Sequence, residues 1–281
     1  MQSWSISEPQ TIEVTDRVRT LEVRMASGRL SVVGADGPPR VEVSRTASEP
    51  VEITLVDGAL TIRQMPAHTW PGLLMPLWWW IRGAHTFDAD VSIAVPYETV
   101  CTLWLGNGSL VASTVHADVA ADCVNGRVTL LGVDGEIRSK VVSGPIEALG
   151  CAGDLNLETV SGEIVLADSA ASRVRAKTVS GSLIADLDNP PHDSDIDLET
   201  ISGEITIRVR SDSDLDVRLS AAHGRVTSDF PDMSVQSQWG ASVSGKLGSG
   251  SGRLKASAVG GNIALLRRPV DADFEAEADA L

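Results

Sequence analysis

The sequence predicts an all-β fold, a β-solenoid-like stack of short strands with 18–22 residue repeats, and three observations carry that reading. The block LETVSGEIVL at Leu157 to Leu166 returns almost unchanged as LETISGEITI at Leu198 to Ile207. Side chains alternate between apolar and polar on both sides of each such block. Aromatic residues make up only 4% of the 281-residue chain, so thin aliphatic layers must fill its core. Self-similarity at a fixed period is the mark of units that bury their apolar faces only by stacking on one another.

The repeat recurs as GNGSLVA around Gly108, VNGRVTL around Gly126, VSGPIEA around Gly144, VSGEIVL around Gly162, VSGSLIA around Gly181, ISGEITI around Gly203, AHGRVTS around Gly224 and VGGNIAL around Gly261. From Gly108 to Gly224 the glycines step by 18, 18, 18, 19, 22 and 21 residues. ASGRLSV around Gly28 is an early copy, and SVSGKLG around Gly245 a weaker one. Because successive residues of a strand face opposite ways, Leu155, Leu157 and Thr159 share one face, as do Val174, Ala176 and Thr178. On this phase Ile164, Leu166, Leu183, Leu198, Ile205 and Ile207 point inward, and Gly126, Gly144, Gly162, Gly181 and Gly203 line one edge of the stack. Regularly spaced strands with turn signals also describe a meander or a sandwich.

Residues 1–100 read as an N-terminal β-strand part, with TIEV, RTLEVRMAS, RLSVVG, RVEVSRTA, VEITLV and ALTIRQ as strands and Asp57-Gly58 as a turn. Within it, residues 65–86 form a Trp-rich loop broken by Pro66, Pro71 and Pro76. Residues 101–268 are the regular β-repeats, continuous with the first part. Residues 269–281 form an acidic tail with five acidic residues and no base.

The stretch GLLMPLWWWIR makes Leu77, Trp78, Trp79, Trp80 and Ile81 the candidate interaction surface. Apolar clusters of this kind mark contacts with protein, ligand or membrane. They also serve to cover the open end of a solenoid, and the sequence leaves both uses open.

Composition limits the partners. A formal net charge of −15, with 23 basic against 38 acidic residues, argues against nucleic acid, whose phosphates need clustered Lys and Arg. The start MQSWSISEPQTIEV has no signal-peptide pattern, and no run reaches the roughly 20 apolar residues of a membrane span. A cytoplasmic location without direct membrane contact is therefore expected.

Enzyme chemistry does not assemble. The five histidines are scattered without metal-ligand spacing, and His223 takes the repeat position that Ser143, Ser161, Ser180 and Ser202 hold elsewhere. A serine repeated once per rung reads as a turn hydroxyl or a stacked row rather than a nucleophile, which would need an oriented base. Cys101, Cys123 and Cys151 read as buried thiols. The cluster Asp186, Asp188, Asp193, Asp195 and Asp197 offers hard oxygen ligands, but its spacing matches no calcium-loop pattern. The expectation is no catalytic, cofactor or metal site, and a protein partner or self-association.

The TVSGxI/L and VNGRV units, the IEV and LEVR strands at the start, the proline-broken loop and the VSIAVP strand together resemble the bacterial DUF4097 family, labelled putative adhesin and also called Toastrack. The resemblance spans about residues 10–268. It implies a β-solenoid-like domain without established catalytic residues, acting as a scaffold or sensory partner with a link to envelope stress signalling. A small-ligand or glycan module and an enzyme with a spatially assembled site are the alternative functions.

Overall fold

The structure is a computed structural model, and it describes residues 1–47, 49–64, 88–188, 194–236 and 240–268. The described residues are all-β, and they divide into two compact units, Met1–Gly135 and Glu136–Leu281.

In the first unit the central strand is β3 (Thr20–Gly34), which follows β1 (Gln2–Ile6) and β2 (Gln10–Glu13). It precedes β4 (Arg40–Thr46), β5 (Val51–Val56), β6 (Ala59–Gln64), β7 (Ala89–Val95), β8 (Val100–Ser113) and β9 (Val119–Leu131). Strand β3 pairs in parallel with β8 along its length, and β8 pairs in parallel with β9. On its other edge the first half of β3 pairs with β6 and the second half with β7, again in parallel. Beyond them the direction reverses at each step: β5 adds antiparallel to β6 and β1 antiparallel to β5, while β4 adds antiparallel to β7 and β2 antiparallel to β4. Short antiparallel strands thus end the parallel coil in this unit, which is how a sheet edge is blunted. The expected turn at Asp57-Gly58 joins β5 to β6, with φ positive at both residues as a two-residue hairpin requires.

The second unit holds all but the first two residues of β10 (Asp134–Ser143), with β11 (Ile146–Leu149), β12 (Ala152–Ser161), β13 (Ile164–Ser180), β14 (Leu183–Leu187), β15 (Asp195–Ser202) and β16 (Ile205–Arg210). It continues through β17 (Leu215–His223), β18 (Val226–Ser228), β19 (Ser234–Gln236), β20 (Ala241–Leu247), β21 (Gly252–Gly260) and β22 (Ile263–Arg268). One sheet runs β12, second half of β13, β15, β21, β17, all parallel, and ends on antiparallel β20 and β19. The facing sheet runs β11, first half of β13, β14, β16, β22, β18, all parallel.

The rungs do not stack in chain order throughout. The rung after Gly203 is built around Gly261, and the Gly224 rung lies beyond it, so β21 and β22 insert between strands that precede them in sequence. In that arrangement β20 takes the outer edge of β17 antiparallel and β21 takes the inner edge in parallel.

Inside, the expected phase holds: Ile164, Leu166, Leu183, Leu198, Ile205 and Ile207 are fully buried. One internal row reads Leu157, Ala176, Leu198, Ala256, Leu219 across five strands, large alternating with small. That alternation lets neighbouring rungs interdigitate without voids, and Phe230 is the only buried aromatic among the described residues.

Candidate functional site

The residues of the TVSG motif divide between inside and outside, and the outside half makes the candidate site. Thr159, Thr178 and Thr200 are buried, and each hydroxyl donates to a glycine carbonyl one rung back: Gly144, Gly162 and Gly181, all at 3.2 Å. The glycines form a column in the second unit, 144, 162, 181, 203, 261, 224, in which a β-carbon on one would sit about 2 Å from the carbonyl oxygen of the last. The first unit has its own column of Gly28, Gly108 and Gly126.

The residue after each of these threonines points out, as does the residue at the same place after Val141 and Ala258. Val142, Val160, Val179, Ile201 and Val259 are 44–53% exposed, one β-branched side chain per rung in a continuous row. In the first unit the same place before Gly28, Gly108 and Gly126 is held by Ala26, Gly106 and Val124, so only one exposed β-branched side chain stands there and no row forms.

Two residues before the valines runs a row of charges. Glu158 lies opposite Lys177, and Lys177 opposite Glu199. Lys140 reaches Glu158 at 3.2 Å, and Lys177 reaches Glu199 at 2.8 Å. The row therefore reads Lys140, Glu158, Lys177, Glu199, strictly alternating, and passes to Ser257 on β21. Lys255 also approaches Glu199, at 3.4 Å. The hydrogen bond with Glu199 holds the Lys177 ammonium above its ordinary value, and the same bond holds the Glu199 carboxyl below its own.

Together the two rows floor an open groove of about 660 Å³. Its lining has an apolar stripe, a charged stripe and buried threonines, but no aromatic side chain.

The residues weighed for chemistry behave otherwise. Ser161, Ser180 and Ser202 stand in one exposed row with Gly260 and His223. His116 stacks on Tyr97 with ring centroids 5.4 Å apart. Burial pushes the Cys101 thiol up to about 12 and Cys123 up to about 11, which leaves neither a nucleophile at neutral pH. The aspartates are taken by basic partners: Asp186 by Arg208 and Arg268, Asp195 by Arg253, Asp197 by Lys255 and Asp212 by Arg210. Among the described residues no group of three or more His, Cys, Asp or Glu could hold a metal ion. Leu77, Trp78, Trp79, Trp80 and Ile81 lie outside the described residues, as do Asp193 and the tail 269–281.

A family model described as Toastrack DUF4097 matches residues 5–266. The chain belongs to the Toastrack family. No curated protein matches it. Among solved structures, a putative adhesin from Bacteroides fragilis NCTC 9343 aligns at 12% identity and TM-score 0.41, over 92% of this chain and 98% of that one. A putative adhesin from Parabacteroides distasonis ATCC 8503 aligns at 12% identity and TM-score 0.38, over 94% and 97%. A putative lipid binding protein from the same organism aligns at 12% identity and TM-score 0.33, over 93% and 98%. Among the described residues of this Toastrack chain, no helix is long and apolar enough to cross a membrane.

Sequence reasoning missed the valine row. The signal was present, because an inward Thr159 places Val160 outward in the same strand.

Proposed function

We propose that this Toastrack protein is a non-enzymatic interaction scaffold, and that the second unit docks a protein partner on the row of Val142, Val160, Val179, Ile201 and Val259. The observation that supports this reading is the exposure of five β-branched side chains along the floor of one open groove. A soluble surface avoids contiguous apolar stripes unless something covers them. Flanking Lys and Glu side chains give the stripe a polar rim, the usual anatomy of a protein interface. The absence of aromatic rings from the groove gives a sugar ring nothing to stack on, so the glycan alternative gains no support here.

A photoreactive amino acid placed at Val160, in cells that make the protein naturally, tests the reading. Ile184, an exposed apolar residue on the other sheet, is the matched control. Discrete protein adducts from Val160 and none from Ile184 are expected; no adduct from Val160, or the same adducts from both, would overturn the docking face. A cytoplasmic location, in keeping with the buried thiols of Cys101 and Cys123, and a role in envelope stress signalling complete the proposal. Cell fractionation and an envelope-stress reporter in a deletion strain test these two parts.

A further inference from the structure

The alternating charges have a symmetry of their own. Four charges in the order plus, minus, plus, minus become minus, plus, minus, plus when the row is reversed. A face that carries such a row matches a reversed copy of itself.

From this we infer that the partner of the valine face is a second copy of the same chain, related by a two-fold axis parallel to the strands and passing between β12 and β13. This rests on the docking reading above and names its occupant. With that axis Lys140 faces Glu199 of the second copy, Glu158 faces Lys177, and the same two pairs repeat by symmetry. Four members of the valine row meet one another, Val142 against Ile201 and Val160 against Val179, and Val259 lies beyond the paired set. An axis across the strands would instead keep each residue on its own rung, so the charge row laid on itself would set Lys on Lys and Glu on Glu. Isologous contact of this kind closes at two copies, so it gives a dimer and not a fibre.

The interface is small. Five strands at about 4.8 Å spacing give a face roughly 20 Å long. That places the contact at the weak end of the known size classes, so dimerisation is reversible and depends on concentration. Because the charges are exposed, it also weakens with salt.

Two charge reversals test the symmetry. In Lys177→Glu the row becomes plus, minus, minus, minus, and a homodimer sets Glu158 against the new glutamate twice. In Glu158→Lys the row becomes plus, plus, plus, minus, with the mirror-image conflict. Mixed together, the two variants present four complementary pairs again. Analytical ultracentrifugation of the full chain should show a monomer–dimer equilibrium, weakened at least tenfold in each variant alone. With the two variants carrying different fluorophores, the equimolar mixture should recover a heterodimer of near wild-type affinity. That recovery also requires both variants to be folded, and their unfolding midpoints check the same point.

A wild-type chain that stays monomeric over the whole concentration range overturns the inference, as does a dimer indifferent to both reversals or variants that do not rescue each other. If the chain is monomeric but Val160 crosslinks to a different protein, the two-fold dimer is wrong and the scaffold reading stands. If neither a dimer nor an adduct forms, both are wrong.

Discussion

Thr178 donates its hydroxyl hydrogen to the carbonyl oxygen of Gly162, 3.2 Å away and one rung back in the stack. Its neighbour Thr200 does the same to Gly181, and Thr159 to Gly144. The bond ties a strand to the turn of the preceding rung, where the glycine column leaves no room for a side chain. Replacing Thr178 by Val keeps the shape and removes the donor. A loss of about 1 kcal/mol in denaturant unfolding is expected, with Thr178→Ser closer to wild type.

A larger effect is expected at Gly203. Its φ is +149°, and a β-carbon there would lie 2.0 Å from the carbonyl oxygen of Gly181. Gly203→Ala must push two rungs apart and should cost roughly 3–5 kcal/mol, from overpacking together with a disfavoured dihedral. Gly37 also has positive φ but nothing within 4 Å of the added carbon. Thermal unfolding of Gly37→Ala beside Gly203→Ala separates the dihedral cost from the collision, and equal losses would show that the column is not tightly packed.

Ile205 is fully buried and lies between Leu183 and Ile263 in the second sheet of its unit. Truncation to Ala removes buried methyl groups and leaves a cavity, at a cost of roughly 2–4 kcal/mol. The same change at exposed Ile201 should leave the unfolding midpoint nearly unchanged.

Asp186 accepts hydrogen bonds from Arg208, and this pairing, aided by Arg268, holds its carboxyl below the ordinary value. A depressed folded-state pKa adds stability that is full above the unfolded value, near 4, and is lost as pH falls through the folded one. Stability of the wild type should therefore fall more steeply than that of Asp186→Asn between about pH 4 and pH 2. Urea midpoints across that range read the difference, and parallel curves would mean the ion pair contributes nothing.

The sequence by itself determined the period, the phase and the turns. Alternation along a strand is a local property, so Leu155, Leu157 and Thr159 fixed the inner face of β12 without knowledge of any neighbour. Glycine is likewise a local signal, since only the missing side chain explains its return at each rung. The alternating row was also in the sequence, as the residue four before Gly144, Gly162, Gly181 and Gly203. Single exposed charges carry no meaning until the rungs are brought side by side, and only parallel pairing turns Lys140, Glu158, Lys177 and Glu199 into one row. The tertiary structure alone decided that Gly261 follows Gly203 in the column. That order depends on which strand edge each segment takes: β20 covers the far edge of β17 and β21 the near one. Edge pairing joins residues far apart in sequence, and no local pattern of side chains encodes it.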